Sequence, residues 1–281
     1  MKFFPNLINK RLVNLQRSGI KGKYFFYLRT YRLLKNNLNK HQGKHGDFAV
    51  PYDQWCFWKT LGPNGYYLDE MQPFCNQIND YLDSFDFLDL GADVGVVSNL
   101  LSNHCSNLKT IYAFEPNPKS FQTLKINAKL SDLDFYPAQL AISNFNGIAS
   151  LKFDDQVNSD HEGHLDLMSP GTTQVVTLDK FFEDKSLSSH LAIKIDVEGQ
   201  ELQAIEGASN IIKRCEKALV LLEIHPETLD RDGLTPEDIF TTLESITKVK
   251  WSVPLLNKEI DRTQPFFSQF PIQQYDVIGK I

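Results

Sequence analysis

The chain has 281 residues, 42% of them hydrophobic and 23% charged, enough to bury a substantial core and outside the compositional range of disordered or fibrous proteins. Its net charge of −6 hides an asymmetry. Eleven of its 29 Lys and Arg lie in residues 1–46, which hold no Asp or Glu, so a +11 segment precedes a body with 18 basic and 35 acidic residues. Such a body repels a phosphate backbone, which argues against a nucleic-acid partner. No signal peptide and no run of roughly 20 apolar residues is present, so a cytoplasmic protein is expected.

Residues 1–46 read as a basic, helical N-terminal extension. Within it Tyr24–Leu34 interleaves aromatics with Arg29 and Arg32, in the manner of a basic amphipathic helix. Three roles stay open: peripheral contact with an anionic membrane surface, a hold on a phosphorylated or otherwise anionic acceptor such as a nucleotide sugar or lipid-linked glycan, or an arm folded onto the acidic body or onto a second copy in a homo-oligomer. The glycines of His41–Gly46 suggest a linker. Residues 47–84 form an aromatic-rich lead-in, with Trp55, Phe57, Trp58, Tyr66 and Tyr67 around the turn Gly62-Pro63-Asn64-Gly65. These aromatics suit core packing, and stacking on a sugar ring is the alternative.

From residue 85 to 281 apolar strands alternate with helical patterns, which calls for a mainly parallel, doubly wound α/β sheet. Phe85–Leu90 leads into Gly91-Ala92-Asp93-Val94-Gly95, and Thr110–Phe114 ends at Glu115. A strand feeding a glycine turn at a helix start leaves backbone N–H groups free to face a ligand. An acid about 20 residues later suits ribose hydroxyls. The dinucleotide pattern needs a third glycine, which is missing here. The turn better suits an adenosine cofactor without a pyrophosphate, such as S-adenosylmethionine. Asn117 is placed to cap a helix opening with Pro118. Leu133–Ala138 and Ala141–Phe153 read as strands, as do the continuous apolar runs Leu191–Ile195 and Ala218–Ile224, which suit central positions. Val249–Leu255 and Tyr275–Ile281 supply two last strands. The cysteines Cys56, Cys75, Cys105 and Cys215 have neither metal-ligand nor redox spacing and read as reduced thiols.

Leu191-Ala-Ile-Lys-Ile-Asp-Val-Glu-Gly-Gln-Glu201 and Leu219-Val-Leu-Leu-Glu-Ile-His-Pro-Glu227 complete a set with Gly91–Gly95, Phe114–Pro118, Leu140–Ser143 and Val176–Asp179. In this order and spacing, over roughly residues 85 to 230, the set resembles the FkbM family of S-adenosylmethionine-dependent methyltransferases. The resemblance implies a Rossmann-like class I methyltransferase fold, a seven-stranded sheet closed by a C-terminal antiparallel hairpin. It also implies O-methylation of a sugar, a glycan or a hydroxylated small molecule. One departure stands out: Asp93 occupies a position where the family usually has Asn, and so adds a carboxylate to the cofactor loop.

Ligands of open α/β sheets lie beyond the carboxyl ends of the strands. The cofactor-binding candidates are therefore Asp89, Gly91, Ala92, Asp93, Gly95, Glu115, Pro116, Asn117, Gln139, Ala141 and Asp196. Asp89 and Gly91 would face the methionine end, Glu115 the ribose, and Gln139 and Ala141 the adenine. The catalytic candidates are His225, Asp196, Glu198 and Glu223. His225 leads as general base because its ordinary pKa of about 6.5 suits proton removal near neutrality, with Asp196 and Glu198 as alternatives. A strand-ending role for His225, a helix-start role for Glu198 and a structural ion pair for Lys194 stand beside these. The acids could also share a divalent ion such as Mg²⁺, but no residue is assigned as a metal ligand. Asp160, His161, Glu162 and His164 match no standard metal spacing, and their loop reads as solvated or as a closure over the acceptor. Two rivals remain, a non-catalytic cofactor-binding or partner-binding protein and an NAD-dependent oxidoreductase.

Overall fold

The computed structural model describes residues 2–3, 14–15, 18–23, 33–34, 37–51, 67–153, 163–166 and 169–281. Residues 24–32 of the helix expected over 24–34, the aromatics at 55–66, and residues 154–162 of the loop expected over 154–166 lie outside them, while 163–166 of that loop form a strand. In chain order the strands are β1 (Lys2–Phe3), β2 (Asn37–Gly43), β3 (Gly46–Pro51), β4 (Phe85–Leu90), β5 (Leu108–Phe114), β6 (Asp134–Ala138), β7 (Ala141–Ile142), β8 (Gly147–Phe153), β9 (Gly163–Asp166), β10 (Thr173–Val176), β11 (His190–Ile195), β12 (Lys217–Ile224), β13 (Lys250–Val253), β14 (Lys258–Glu259) and β15 (Tyr275–Lys280).

The main sheet runs β14-β13-β15-β12-β11-β4-β5-β6. The five strands from β6 to β12 are parallel, and β15 returns antiparallel to both β12 and β13. This is the expected sheet with an eighth strand, the two-residue β14, which pairs with β13 after a turn at Asn257 in the left-handed region (φ 49°). Strand alternation splits the core between two faces. Leu88 and Leu90 join one face, against the helices Glu201–Glu206, Ser209–Arg214 and Pro236–Ile246. Phe85 and Phe87 join the other, against the helices Gln72–Tyr81, Val96–His104 and Pro118–Leu130. Chain order reverses between β4 and β11, so the loops leaving those two strands meet over the sheet.

Two sequence expectations are corrected. Ala141–Phe153 is not one strand: Ser143-Asn144-Phe145-Asn146 breaks it, its polar side chains reaching distant segments, Ser143 to Gln200 and Asn144 to Glu206. Asn146 accepts from Thr177 N–H at 3.1 Å. The pieces β7 and β8 enter a second sheet, β7-β10-β8-β9, where His164 sits on β9 opposite Lys152.

His41–Gly46 is not a linker but part of a hairpin, while residues 14–15, 23 and 33–34 of the extension are helical. β2 and β3 form a hairpin turning at Lys44-His45, and β1 pairs parallel with β2. Gly46 (φ +105°) allows a close approach, since a Cβ there would meet the Leu130 carbonyl oxygen at 2.0 Å. Buried Asn127 then fastens the hairpin. Its amide accepts from Ala49 N–H at 2.7 Å, donates to Ala49 O at 2.8 Å, and reaches Val94 O in the glycine loop at 2.6 Å. Asn127→Ala orphans these groups and is expected to cost about 2 kcal/mol of stability. For a chain of this size that lowers the melting temperature by about 4–8 °C, read by thermal unfolding; an unchanged midpoint would mean water replaces the amide without loss.

Candidate active site

The turn after β4 depends on backbone that side-chain-bearing residues rarely adopt. Gly91 (φ +76°) lies so close to the loop after β11 that a Cβ would meet Asp196 O at 1.7 Å, and Gly95 (φ +85°) packs on Leu124. Gly91 N–H and Ala92 N–H both donate to Phe114 O at 3.0 Å, tying the turn to the end of β5. From that end Glu115 accepts from Asp93 N–H at 2.8 Å and Asn117 N–H at 2.7 Å, one at each carboxylate oxygen. Asn117 caps the following helix, its side chain accepting from Lys119 N–H at 3.0 Å. Glu115 is buried, and burial followed by the neighbouring Asp93 charge pushes its pKa up to about 8.

Asp89 does not reach the cavity. It is fully buried on the Phe87 side of the sheet, accepts from Ser98 Oγ at 2.6 Å, and lies 3.9 Å from Lys194 Nζ. It braces the turn from beneath. Gln139 is exposed, and its neighbours Leu140, Ala141 and Ile142 form the wall instead. The expected ion pair of Lys194 is present: its ammonium donates to Asp196 Oδ2 at 2.8 Å and to Gly91 O at 3.0 Å. Burial alone would lower the pKa of Lys194, but Asp196 and then Asp89 hold it above the ordinary range. Burial likewise works against the Asp196 charge, and Lys194 keeps that pKa below the ordinary carboxylate range.

The loop after β11 is strained where it faces the cavity. Glu198 sits at φ +52° and Gly199 at φ +100°; non-glycine residues in this region cost energy and cluster at functional sites. Glu201, not Glu198, caps the loop, its buried carboxylate accepting from Gly199 N–H at 3.0 Å and Val197 N–H at 3.3 Å. Arg231 holds Glu198 O at 3.0 Å. Burial, then the Asp196 charge, lifts Glu198 to about 7.

At the end of β12, Glu223 and His225 stand two residues apart and so share a strand face, with His225 Nε2 3.1 Å from Glu223 Oε1. Burial opposes the imidazolium, but the hydrogen bond and charge of Glu223 outweigh it and raise His225 to about 9. Burial and the Asp196 charge bring Glu223 up to about 6. These neighbours favour the protonated form of His225 and the neutral form of Glu198 relative to their ordinary values. Asp196, Glu223 and His225 place ligand-capable atoms within 4.8 Å of one another.

These groups line one cavity of about 640 Å³, with Gly91, Ala92, Asp93, Glu115, Pro116, Asn117 and Ala141 around one part of its wall and Asp196, Glu198, Glu223 and His225 around another. Gly95 does not line it and packs on Leu124 instead. Glu201 and the C-terminal stretches Val253–Leu256 and Gln273–Asp276 were not singled out from the sequence. An acid two residues after a glycine and opening a helix was a signal for Glu201. No local signal marked the others.

The profile of the Methyltransferase FkbM domain matches residues 89–249. AglP, a hexuronic acid methyltransferase of Haloferax volcanii, is 27% identical over 176 residues, covering 62% of this chain. The match spans 66% of AglP, just under two thirds of its length. Among solved structures, methyltransferase FkbM from Methylobacillus flagellatus KT has a TM-score of 0.43 at 18% identity, over 80% of this chain and 51% of that one. An S-adenosylmethionine-dependent methyltransferase from Clostridium acetobutylicum has a TM-score of 0.42 at 10% identity, over 76% and 92%. Because the profile covers more than half of the chain, including the ends of β4, β5, β11 and β12 that line the cavity, the chain belongs to the FkbM methyltransferase family.

Proposed function

We propose that the chain transfers a methyl group from S-adenosylmethionine to a hydroxyl of a sugar, a glycan or a hydroxylated small molecule. The observation that carries this reading is the single cavity that joins the glycine turn and Glu115 to Asp196, Glu198, Glu223 and His225. The residues fit the cofactor: Gly91, Ala92 and Asp93 line the cavity beside Glu115, which can still accept ribose hydroxyls because each oxygen has a second lone pair. Leu140, Ala141 and Ile142 supply the apolar flank an adenine needs. When bound, S-adenosylmethionine supplies an electrophilic methyl on a sulfonium.

The chain itself holds the acceptor oxygen in line and takes up its proton. We assign proton uptake to the Glu198 carboxylate, whose pKa of about 7 balances availability against basicity. The His225 imidazolium stabilises the negative charge that develops on the oxygen, and Glu223 fixes its orientation. Lys194 and Asp196 lock the two loops together. The grouping of Asp196, Glu223 and His225 supports a metal-assisted variant of the same reading. The positive charge of residues 1–46 supports work in the cytoplasm beside an anionic membrane surface.

Calorimetric titration with S-adenosylhomocysteine, with and without Mg²⁺ and with NADH as the control ligand, tests the reading. Micromolar binding of the adenosyl compound and none of NADH is expected. NADH binding alone would make the chain an oxidoreductase, and binding of neither a partner-binding protein. Affinity or turnover that appears only with Mg²⁺ would establish the metal-assisted variant.

A further inference from the structure

Part of the cavity wall near His225 is built by chain beyond the matched domain. Val253 ends β13, Leu255 and Leu256 follow it, and Gln273, Gln274 and Asp276 surround the start of β15. All lie past residue 249, where the family match ends. The antiparallel return of β15 puts them there, since Glu223 pairs with Asp276 and Ile224 with Tyr275. Gln274 donates its side-chain amide to Glu223 Oε1, the oxygen that also faces His225 Nε2.

The chemistry of this wall is that of an uncharged ligand. Leu255 and Leu256 are 53% and 44% exposed and offer an apolar strip for the C–H face of a sugar ring. Amides both donate and accept, as sugar hydroxyls do. Four carboxyl groups line this part of the cavity, Asp196, Glu198, Glu223 and Asp276, against two cationic groups, Lys194 and His225. Both cations are engaged, Lys194 with Asp196 and Gly91 O, His225 with Glu223. An anionic acceptor entering here gives up hydration and meets net negative charge.

We propose that Val253–Leu256 and Gln273–Asp276 form the acceptor subsite and that it selects an uncharged sugar, in contrast to the hexuronic acid in the name of AglP. The inference rests on the methyltransferase reading above. Leu255 and Leu256 pack on the ring, Gln273 and Asp276 bond its hydroxyls, and Gln274 bonds the sugar while holding Glu223.

The test is transfer of labelled methyl by the full-length chain to methyl glycosides of neutral hexoses and to the corresponding hexuronates, alongside S-adenosylhomocysteine titration. Neutral hexosides should be favoured at least ~10-fold in kcat/KM. Gln273→Ala combined with Gln274→Ala, both exposed positions, should lower acceptor kcat/KM about tenfold with cofactor affinity unchanged. Asp276→Asn should narrow the discrimination against hexuronates. Preference for hexuronates, or a double variant with unaltered kcat/KM, overturns the subsite. Cofactor binding without transfer to either sugar class also overturns it, whereas absent cofactor binding overturns the underlying reading.

Discussion

Glu198→Gln is expected to lower turnover by at least ~100-fold while leaving S-adenosylhomocysteine affinity within about twofold, because it removes the proton acceptor and little else. Glutamine fills the same volume, faces the same backbone strain at φ +52°, and leaves the Arg231 bond to the main-chain oxygen and the Glu201 cap in place. The pH dependence gives a second readout. Glu198 must be ionised to accept a proton, so the wild-type rate should climb about tenfold per unit below pH 7 and level above it. His225 must be protonated to support the oxyanion, so the rate should fall above about pH 9. Glu198→Gln should abolish the acidic limb, and His225→Gln the alkaline limb alone. Near-normal turnover of Glu198→Gln, with a rate still rising toward pH 9, would return the base role to neutral His225.

The proposed choice of Glu198 over His225 turns on what a sequence can and cannot disclose about such a site. The positions of Glu198, Glu223 and His225 follow from two continuous apolar runs, since a buried parallel strand places the residues after it at the ligand-binding edge. Their protonation does not follow so directly. The value of His225 depends on a carboxylate 3.1 Å away, and that of Glu198 on burial produced by a loop held from beneath by Glu201. Strand alternation already contained the pairing of Glu223 with His225, two residues apart on one face. It also contained the burial of Asp89, which shares the Phe87 side and meets Ser98 rather than a ligand.

The fold divides along the same line. Phe85–Leu90, Leu191–Ile195 and Ala218–Ile224 are fixed by local hydrophobicity and read correctly. In sequence Asn37–Pro51 spans extension, linker and lead-in because the glycines of His41–Gly46 also suit flexible chain; the approach of Gly46 to Leu130 and the reach of Asn127 reveal its hairpin. Gln273 and Gln274 enter the cavity through the pairing of β15 with β12, a contact some fifty residues long in sequence, as in Gln274 to Glu223. No local pattern encodes a register of that separation.

The cofactor end carries the other large expected effect. Glu115→Ala should weaken S-adenosylhomocysteine binding by about 2–3 kcal/mol, roughly 30- to 150-fold, by removing a charge-assisted acceptor and orphaning the Asp93 and Asn117 N–H groups. Glu115→Gln keeps an acceptor oxygen and should lose about tenfold. The pH dependence of wild-type binding separates this role from simple bracing. Ribose hydroxyls donate to the ionised carboxylate, whereas burial and Asp93 hold its pKa near 8 in the free protein. Affinity should therefore tighten up to tenfold per unit between about pH 6 and 8 and stay level above. Free-protein stability runs the opposite way: the folded state retains a proton that the unfolded chain releases near its ordinary value of 4.5, so this contribution is lost as pH rises through about 8. Asp93→Asn removes the second cause of the shift and should move the binding midpoint to lower pH, with tighter binding at neutrality. A flat profile in the wild type, or one that Asp93→Asn leaves in place, would show that Glu115 meets the cofactor only through the backbone it holds.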